Sequence, residues 1–200
     1  MPEISLGIPK LHWPKAGDEP FLRSKNPRSE ARLDMVHRTL GVYAVAYKEA
    51  ADRLVSCALR RRVVYPDLAV LPIIFLYRHY LELRLKEIIC SGRRCSLKGA
   101  GISKEHDLSR LWKSARSVLE ELWPGQYQAE LTAVENCITS FHQIDKSSQE
   151  SRYPVDGKGR EALRSLTRVD IRNLKSVMAG LAGFLDGASD GICELNRNRP

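Results

Sequence analysis

The chain has 200 residues, of which 43% are hydrophobic, and its 32 Lys and Arg against 24 Asp and Glu give a net charge of +8. This length excludes two large domains, and without a ~20-residue apolar run or a signal-peptide layout we expect a cytoplasmic protein that avoids membranes. The positive charge favours a polyanion as partner, RNA first, because long-range attraction and counterion release both assist such binding.

The first 33 residues are predicted to form an irregular arm. They carry five prolines among scattered charges, and proline opposes helix formation. Trp13 and Phe21 indicate that the arm is pinned to the body or to a partner, since large apolar side chains are usually buried. Residues 34–200 are predicted to form the folded domain.

Apolar residues that recur at three- and four-residue steps predict five helices in that domain. Gly92 is interpreted as the stop of the second helix, and Trp123-Pro124-Gly125 as the end of the third. With no strand pattern, we predict an all-α, up-and-down bundle of about five helices. The predicted helices cover about residues 34–62, 67–91, 104–123, 126–146 and 168–186.

The second helix carries charges within its apolar stripe. Arg78 and Glu82 are four residues apart on that face, so they can pair along the helix as a buried structural ion pair. Alternatively, they line a polar cleft in which Arg78 binds phosphate, and Lys86 extends the row by one turn.

Two histidines precede acidic residues at the same spacing. His79 and Glu82 are three residues apart, as are His142 and Asp145. If the two pairs face each other they could ligate a metal ion, which gives a metal-binding bundle enzyme as one alternative. Without a metal, His142 could act as a general acid or base.

Two further motifs lie near predicted helix ends. Asp107 is predicted to cap the third helix and His106 to bond a neighbouring loop, so both are interpreted as structural, as is Glu82. On the long loop 147–159, Arg152 and Tyr153 could grip a phosphate and stack a base. Alternatively, the Tyr153 ring packs against the end of the bundle while Arg152 donates hydrogen bonds to carbonyls at a helix end.

The cysteines point to no cofactor or cross-link. Their number is odd and no C-x-x-C pair occurs, so neither a disulfide framework nor a zinc finger is indicated. We expect reduced thiols and no cofactor. The cysteines are Cys57, Cys90, Cys95, Cys137 and Cys193.

Residues 81–86 (Leu-Glu-Leu-Arg-Leu-Lys), followed by Gly92 and then by His106-Asp107-Leu108, resemble the HEPN superfamily. In that superfamily an E-L-x-L-K helix precedes a loop and an H-D-L helix start. The resemblance covers roughly residues 70–120. It implies a helical bundle that commonly dimerises. The superfamily includes metal-independent ribonucleases of toxin–antitoxin and phage-defence systems, and also non-catalytic nucleotide- or RNA-binding members.

The sequence departs from the ribonuclease members of that superfamily. They carry Arg followed after four to six residues by His near the last helix of the bundle, whereas no histidine follows His142 here. The only such spacing is Arg32 to His37, at the predicted start of the first helix, and we interpret it as chance. The family's catalytic pair therefore has no counterpart, and the protein is either non-catalytic or uses another set.

Together these patterns predict a homodimer that binds or cleaves RNA in a bacterial defence or toxin–antitoxin system. Cleavage would be metal-independent. The alternative is a non-enzymatic interaction module whose protein partner, from the same system, docks on the Pro-rich arm and the Arg152 loop. The catalytic candidates are Arg78, His79, His142 and Arg152, and the RNA-contact candidates are Arg78, Lys86, Arg152 and Tyr153.

Overall fold

The computed structural model describes residues 13–23, 26–60, 62, 65–96, 99, 101–146, 148–155 and 158–198. Within these ranges, the regular structure is helical apart from one isolated antiparallel bridge between Val155 and Glu161. The all-α prediction is therefore confirmed. The five helices are α1 (Leu40–Leu59), α2 (Pro66–Cys95), α3 (Leu108–Leu122), α4 (Gln128–Ile144) and α5 (Ile171–Arg197).

The chain divides into two units, Met1–His37 and Arg38–Pro200. In the first unit, the described residues form two short 3-10 helices, Pro27–Ser29 and Leu33–Met35. Trp13 is 73% exposed and Phe21 is 97% exposed. Burial of these two rings against a partner stays a prediction.

The first helix begins at Leu40, later than the predicted start near residue 34. The Thr39 hydroxyl accepts a hydrogen bond from the Val42 N–H at 3.3 Å, which satisfies one of the free donors of the first turn. The apolar periodicity upstream of Thr39 belongs to a 3-10 turn instead. Arg32 and His37, the pair with the ribonuclease-like spacing, are thus exposed residues that precede α1.

Small side chains bring α1 close to α2. The buried face of α1 consists of Ala44, Ala51, Val55 and Ala58, and the distance between packed helices depends on the side chains at their contact. In turn, α2 also packs against α3 and α5, so it is the central helix of the bundle. No helix in the described part of the chain is long and apolar enough to cross a bilayer.

Gly92 does not end the second helix, contrary to the prediction. α2 continues to Cys95, and a Cβ atom on Gly92 would overlap the Val118 side chain of α3. The glycine therefore serves close packing between two helices. A break was expected because glycine is common after helix ends, but the tertiary contact outweighs that tendency.

The last helix also extends beyond its predicted end near residue 186. Ser189 and Ile192 are buried, so the inward face of α5 continues past its glycines. The side-chain amide of Asn196 donates to the Ser91 carbonyl of α2 at 3.2 Å. Packing against α2 thus holds helical residues that lie beyond the predicted end.

Candidate functional site

Arg78 lies at the centre of a buried polar network. Its side chain has no exposed surface, and its Nε donates to the Asp145 carbonyl at 3.0 Å. Nη2 donates to the His106 carbonyl at 2.9 Å, and Nη1 to Glu82 Oε2 at 3.2 Å. The guanidinium therefore joins α2 to the end of α4 and to the segment before α3, and phosphate in solvent cannot reach it.

Glu82 connects two further side chains to this network. It is 3% exposed, and its Oε1 accepts from Lys86 Nζ at 2.9 Å and lies 2.8 Å from His106 Nδ1. Burial raises the pKa of Glu82, but the hydrogen bonds from Lys86 and His106 outweigh it and leave the pKa below its usual value. The carboxylate is thus ionised at neutral pH, and Lys86, itself buried, faces Glu82 rather than a ligand.

Asp145 fixes the loop that follows α4. It accepts the Ser151 hydroxyl at 2.7 Å and the Gln149 N–H at 2.9 Å. Burial raises its pKa, but hydrogen bonds with Glu150 and Ser151 and the charge of Arg78 outweigh burial and lower the pKa. The residue before Arg152 is thereby anchored to the core.

An aromatic cluster at the surface holds Arg152. The His79 ring stacks on Phe75 with centroids 5.8 Å apart and meets Tyr47 edge-on at 4.4 Å. The Arg152 guanidinium carbon lies 5.6 Å from the Phe75 centroid and 5.8 Å from that of Tyr153. We call these five residues the aromatic–arginine site.

Arg152 keeps most of its donors available. Its Nε donates to the Ser148 carbonyl at 2.7 Å, and in the described part of the chain no other hydrogen bond engages its guanidinium. Arg152 is exposed, and Tyr153 beside it is 56% exposed. The site therefore presents two terminal N–H₂ groups and an aromatic ring to solvent.

His79 is neutral at physiological pH. Burial is the main reason why its pKa lies below the usual value; Glu82 opposes this, whereas the charges of Lys86, Arg78 and Arg152 lower the pKa further. A neutral imidazole has one donor and one acceptor nitrogen. At this site His79 can therefore supply hydrogen bonds and aromatic surface, but no positive charge.

His142 lies beside a different residue, Asp107. Its Nδ1 is 3.4 Å from Asp107 Oδ1 and makes no hydrogen bond. Asp107 Oδ1 instead accepts from the Arg110 N–H at 3.1 Å, which places Asp107 at the N-cap of α3. None of the described contacts joins His142 to the aromatic–arginine site.

The structure therefore separates the residues that the sequence grouped together. Of the catalytic candidates, only His79 and Arg152 share a site. Of the RNA-contact candidates, Arg78 and Lys86 are buried and only Arg152 and Tyr153 are exposed. Sequence reasoning missed the roles of Tyr47 and Phe75, although the i, i+4 spacing of Phe75 and His79 could have indicated their pairing.

The residues of the metal alternative do not converge. Within the described ranges, no group of three or more His, Cys, Asp or Glu side chains lies close enough to hold a metal ion. Glu82 and Asp145 both interact with Arg78 instead. The convergence that the metal hypothesis requires is thus contradicted.

No protein-family model, curated protein or solved structure matches the chain. The relationship to the HEPN superfamily stays a prediction, based on residues 81–92 and 106–108.

Proposed function

We propose that the protein binds single-stranded RNA at the aromatic–arginine site and does not cleave it. One observation carries the proposal: the Arg152 guanidinium lies over an aromatic ring, beside the exposed Tyr153, with its terminal donors directed to no described protein group. A cation for phosphate next to a ring for a base is the combination that suits single-stranded RNA.

The surrounding charges support this choice of ligand. The net charge of +8 attracts polyanions over long distances. Arg78 and Lys86 make no contact with the ligand in this proposal, because both are buried and paired. Neutral His79 offers a hydrogen bond to a base or a ribose hydroxyl.

The positions of the catalytic candidates favour binding over cleavage. Metal-independent cleavage needs a base that removes the proton of the attacking hydroxyl, an acid that protonates the leaving oxygen, and a cation that stabilises the developing charge. Arg78 is buried, and His142 has no described contact with the aromatic–arginine site. Of the catalytic candidates, only His79 and Arg152 lie together at the site, so no second candidate for proton transfer accompanies His79.

Fluorescence anisotropy of labelled single-stranded oligouridylate and oligoadenylate tests the proposal. Arg152→Ala and Tyr153→Ala should each weaken binding about tenfold, because stacking contributes about 1–3 kcal/mol per base. Arg53→Ala is the matched control: it removes the same charge from an exposed arginine of α1 that pairs with Glu49. Equal losses in Arg152→Ala and Arg53→Ala would show that only general charge matters.

Gel analysis of the same RNA, with and without EDTA, tests the absence of cleavage. We expect intact RNA in both samples. From the HEPN resemblance we further propose a homodimer that acts in a bacterial defence or toxin–antitoxin system; light scattering of the purified protein measures the first part.

A second candidate is a protein-interaction module, favoured by the exposure of Trp13 and Phe21 in the first unit. Large aromatic side chains are usually buried, so two exposed rings in one unit favour a surface that a partner covers. A photocrosslinking amino acid placed at Phe21 should capture one defined protein in cells. The same group at Arg53 serves as the control position and should not capture it.

A further inference from the structure

A cavity of about 360 Å³ lies beside α4 and α5, and none of the residues of the aromatic–arginine site lines it. Its apolar walls include Ile74 of α2, Phe141 and Ile144 of α4, and Leu174 and Val177 of α5. α4 and α5 contact each other only weakly, so their side chains leave this space unfilled. The volume lies within the range of small-molecule sites in proteins.

One polar wall group, the Ser140 hydroxyl of α4, donates to the Asn136 carbonyl at 3.0 Å. The other polar side chains of the cavity lie in the segment that leads into α5 and in the first turn of that helix. Arg168 is exposed at this edge and makes no described hydrogen bond or ion pair. The nearby Asp170 carboxylate forms no described ion pair with Arg168; it accepts the N–H groups of Arg172 and Asn173 at 2.9 and 3.0 Å. The edge therefore offers one available cation.

We propose that this cavity binds a medium-chain fatty acid, with the acyl chain between α4 and α5 and the carboxylate on Arg168. Apolar walls gain free energy when a hydrocarbon chain removes them from water. A guanidinium binds a carboxylate through charge-assisted hydrogen bonds. The separation of apolar walls from a single cation matches the two ends of such a ligand.

Cys137 provides a reporter for occupancy, because it lines the cavity. Burial raises the pKa of its thiol, so the thiol reacts slowly and the labelling is done at mildly alkaline pH. Cys57 and Cys193 are exposed and serve as internal controls in the same chain. Alkylation by N-ethylmaleimide, followed by peptide mass spectrometry, gives each rate separately.

The probe is decanoate, below the concentration at which it forms micelles. At four times its Kd, about one fifth of the sites remain empty, so alkylation of Cys137 should slow about fivefold while Cys57 and Cys193 keep their rates. If decanoate changes no rate at Cys137 and isothermal titration calorimetry detects no binding, the proposal is overturned.

Two variants test the role of the cation. Arg168→Gln should weaken decanoate binding about tenfold, the expected effect of losing a hydrogen bond to a charged group. Arg172→Gln removes the same charge from an exposed residue that does not line the cavity, and it should bind decanoate like the wild type. Equal affinity for decanoate and decanol, or an unchanged affinity in Arg168→Gln, would overturn the assignment of a carboxylate ligand.

Discussion

Two arginines of this bundle, Arg78 and Arg152, have opposite environments. Arg78 has no exposed surface and donates to two backbone carbonyls and to Glu82. Arg152 is exposed, donates to the protein through Nε, and lies over an aromatic ring. Burial and the use of its donors, rather than residue type or motif, therefore determine which arginine can contact a ligand.

The largest expected effect is the loss of protein stability when the buried Arg78 is replaced. Arg78→Ala should lower the free energy of unfolding by about 3–5 kcal/mol, because it removes the cation beside the buried Asp145 carboxylate and the donors to the Asp145 and His106 carbonyls. Urea unfolding followed by circular dichroism measures this loss. A loss below about 1 kcal/mol would contradict a structural role for Arg78, since it would then resemble a surface residue.

The pH dependence of stability should distinguish the two regions. The pKa of His79 is lowered from 6.5 by burial, so the unfolded chain binds this proton more readily and stability should begin to fall below about pH 6.5. The pKa values of Glu82 and Asp145 are lowered from 4.5 and 3.8, so their contribution should be lost at more acidic pH. Each unit of lowering corresponds to about 1.4 kcal/mol.

Unfolding in urea across this pH range measures both losses. His79→Phe should remove the loss that begins near pH 6.5 and leave the more acidic one. Glu82→Gln should reduce the acidic loss. If His79→Phe changes neither part of the profile, the aromatic–arginine site does not keep His79 neutral.

The smallest expected effect is the change in stability on removing the exposed arginine. Arg152→Ala should lower the free energy of unfolding by less than about 1 kcal/mol, since exposed cation–π and surface contacts contribute little. The same urea measurement applies. A loss as large as that of Arg78→Ala would show that Arg152 is a structural residue and would remove the distinction between the two arginines.

Local patterns predicted the helices well, but not the contacts between them. Apolar periodicity located five helices, and the cap at Asp107 was readable because capping depends on neighbouring residues. The carbonyl partners of Arg78 lie 28 and 67 residues away. Spacing along the chain cannot predict such distant partners. From the sequence, a buried ion pair of Arg78 and Glu82 and an open polar cleft lined by them were therefore both possible.

The same limit explains the errors at the ends of two helices, α2 and α5. Gly92 is a residue type common after helix ends, yet here its lack of a side chain leaves room for Val118 of α3. The second half of α5 is held by burial of Ile192 and by the bond from Asn196 to α2. Both outcomes depend on neighbours that only the folded chain brings together.

The anchoring of Ser151 by Asp145 has a thermodynamic consequence for ligand binding. Because the residue before Arg152 is tied to the core, the conformational entropy of this part of the loop is lost when the protein folds. A ligand that meets an ordered loop has less ordering to offset than one that must fix a free chain. The buried Asp145 carboxylate can thus strengthen ligand binding at the Arg152 guanidinium without contacting it.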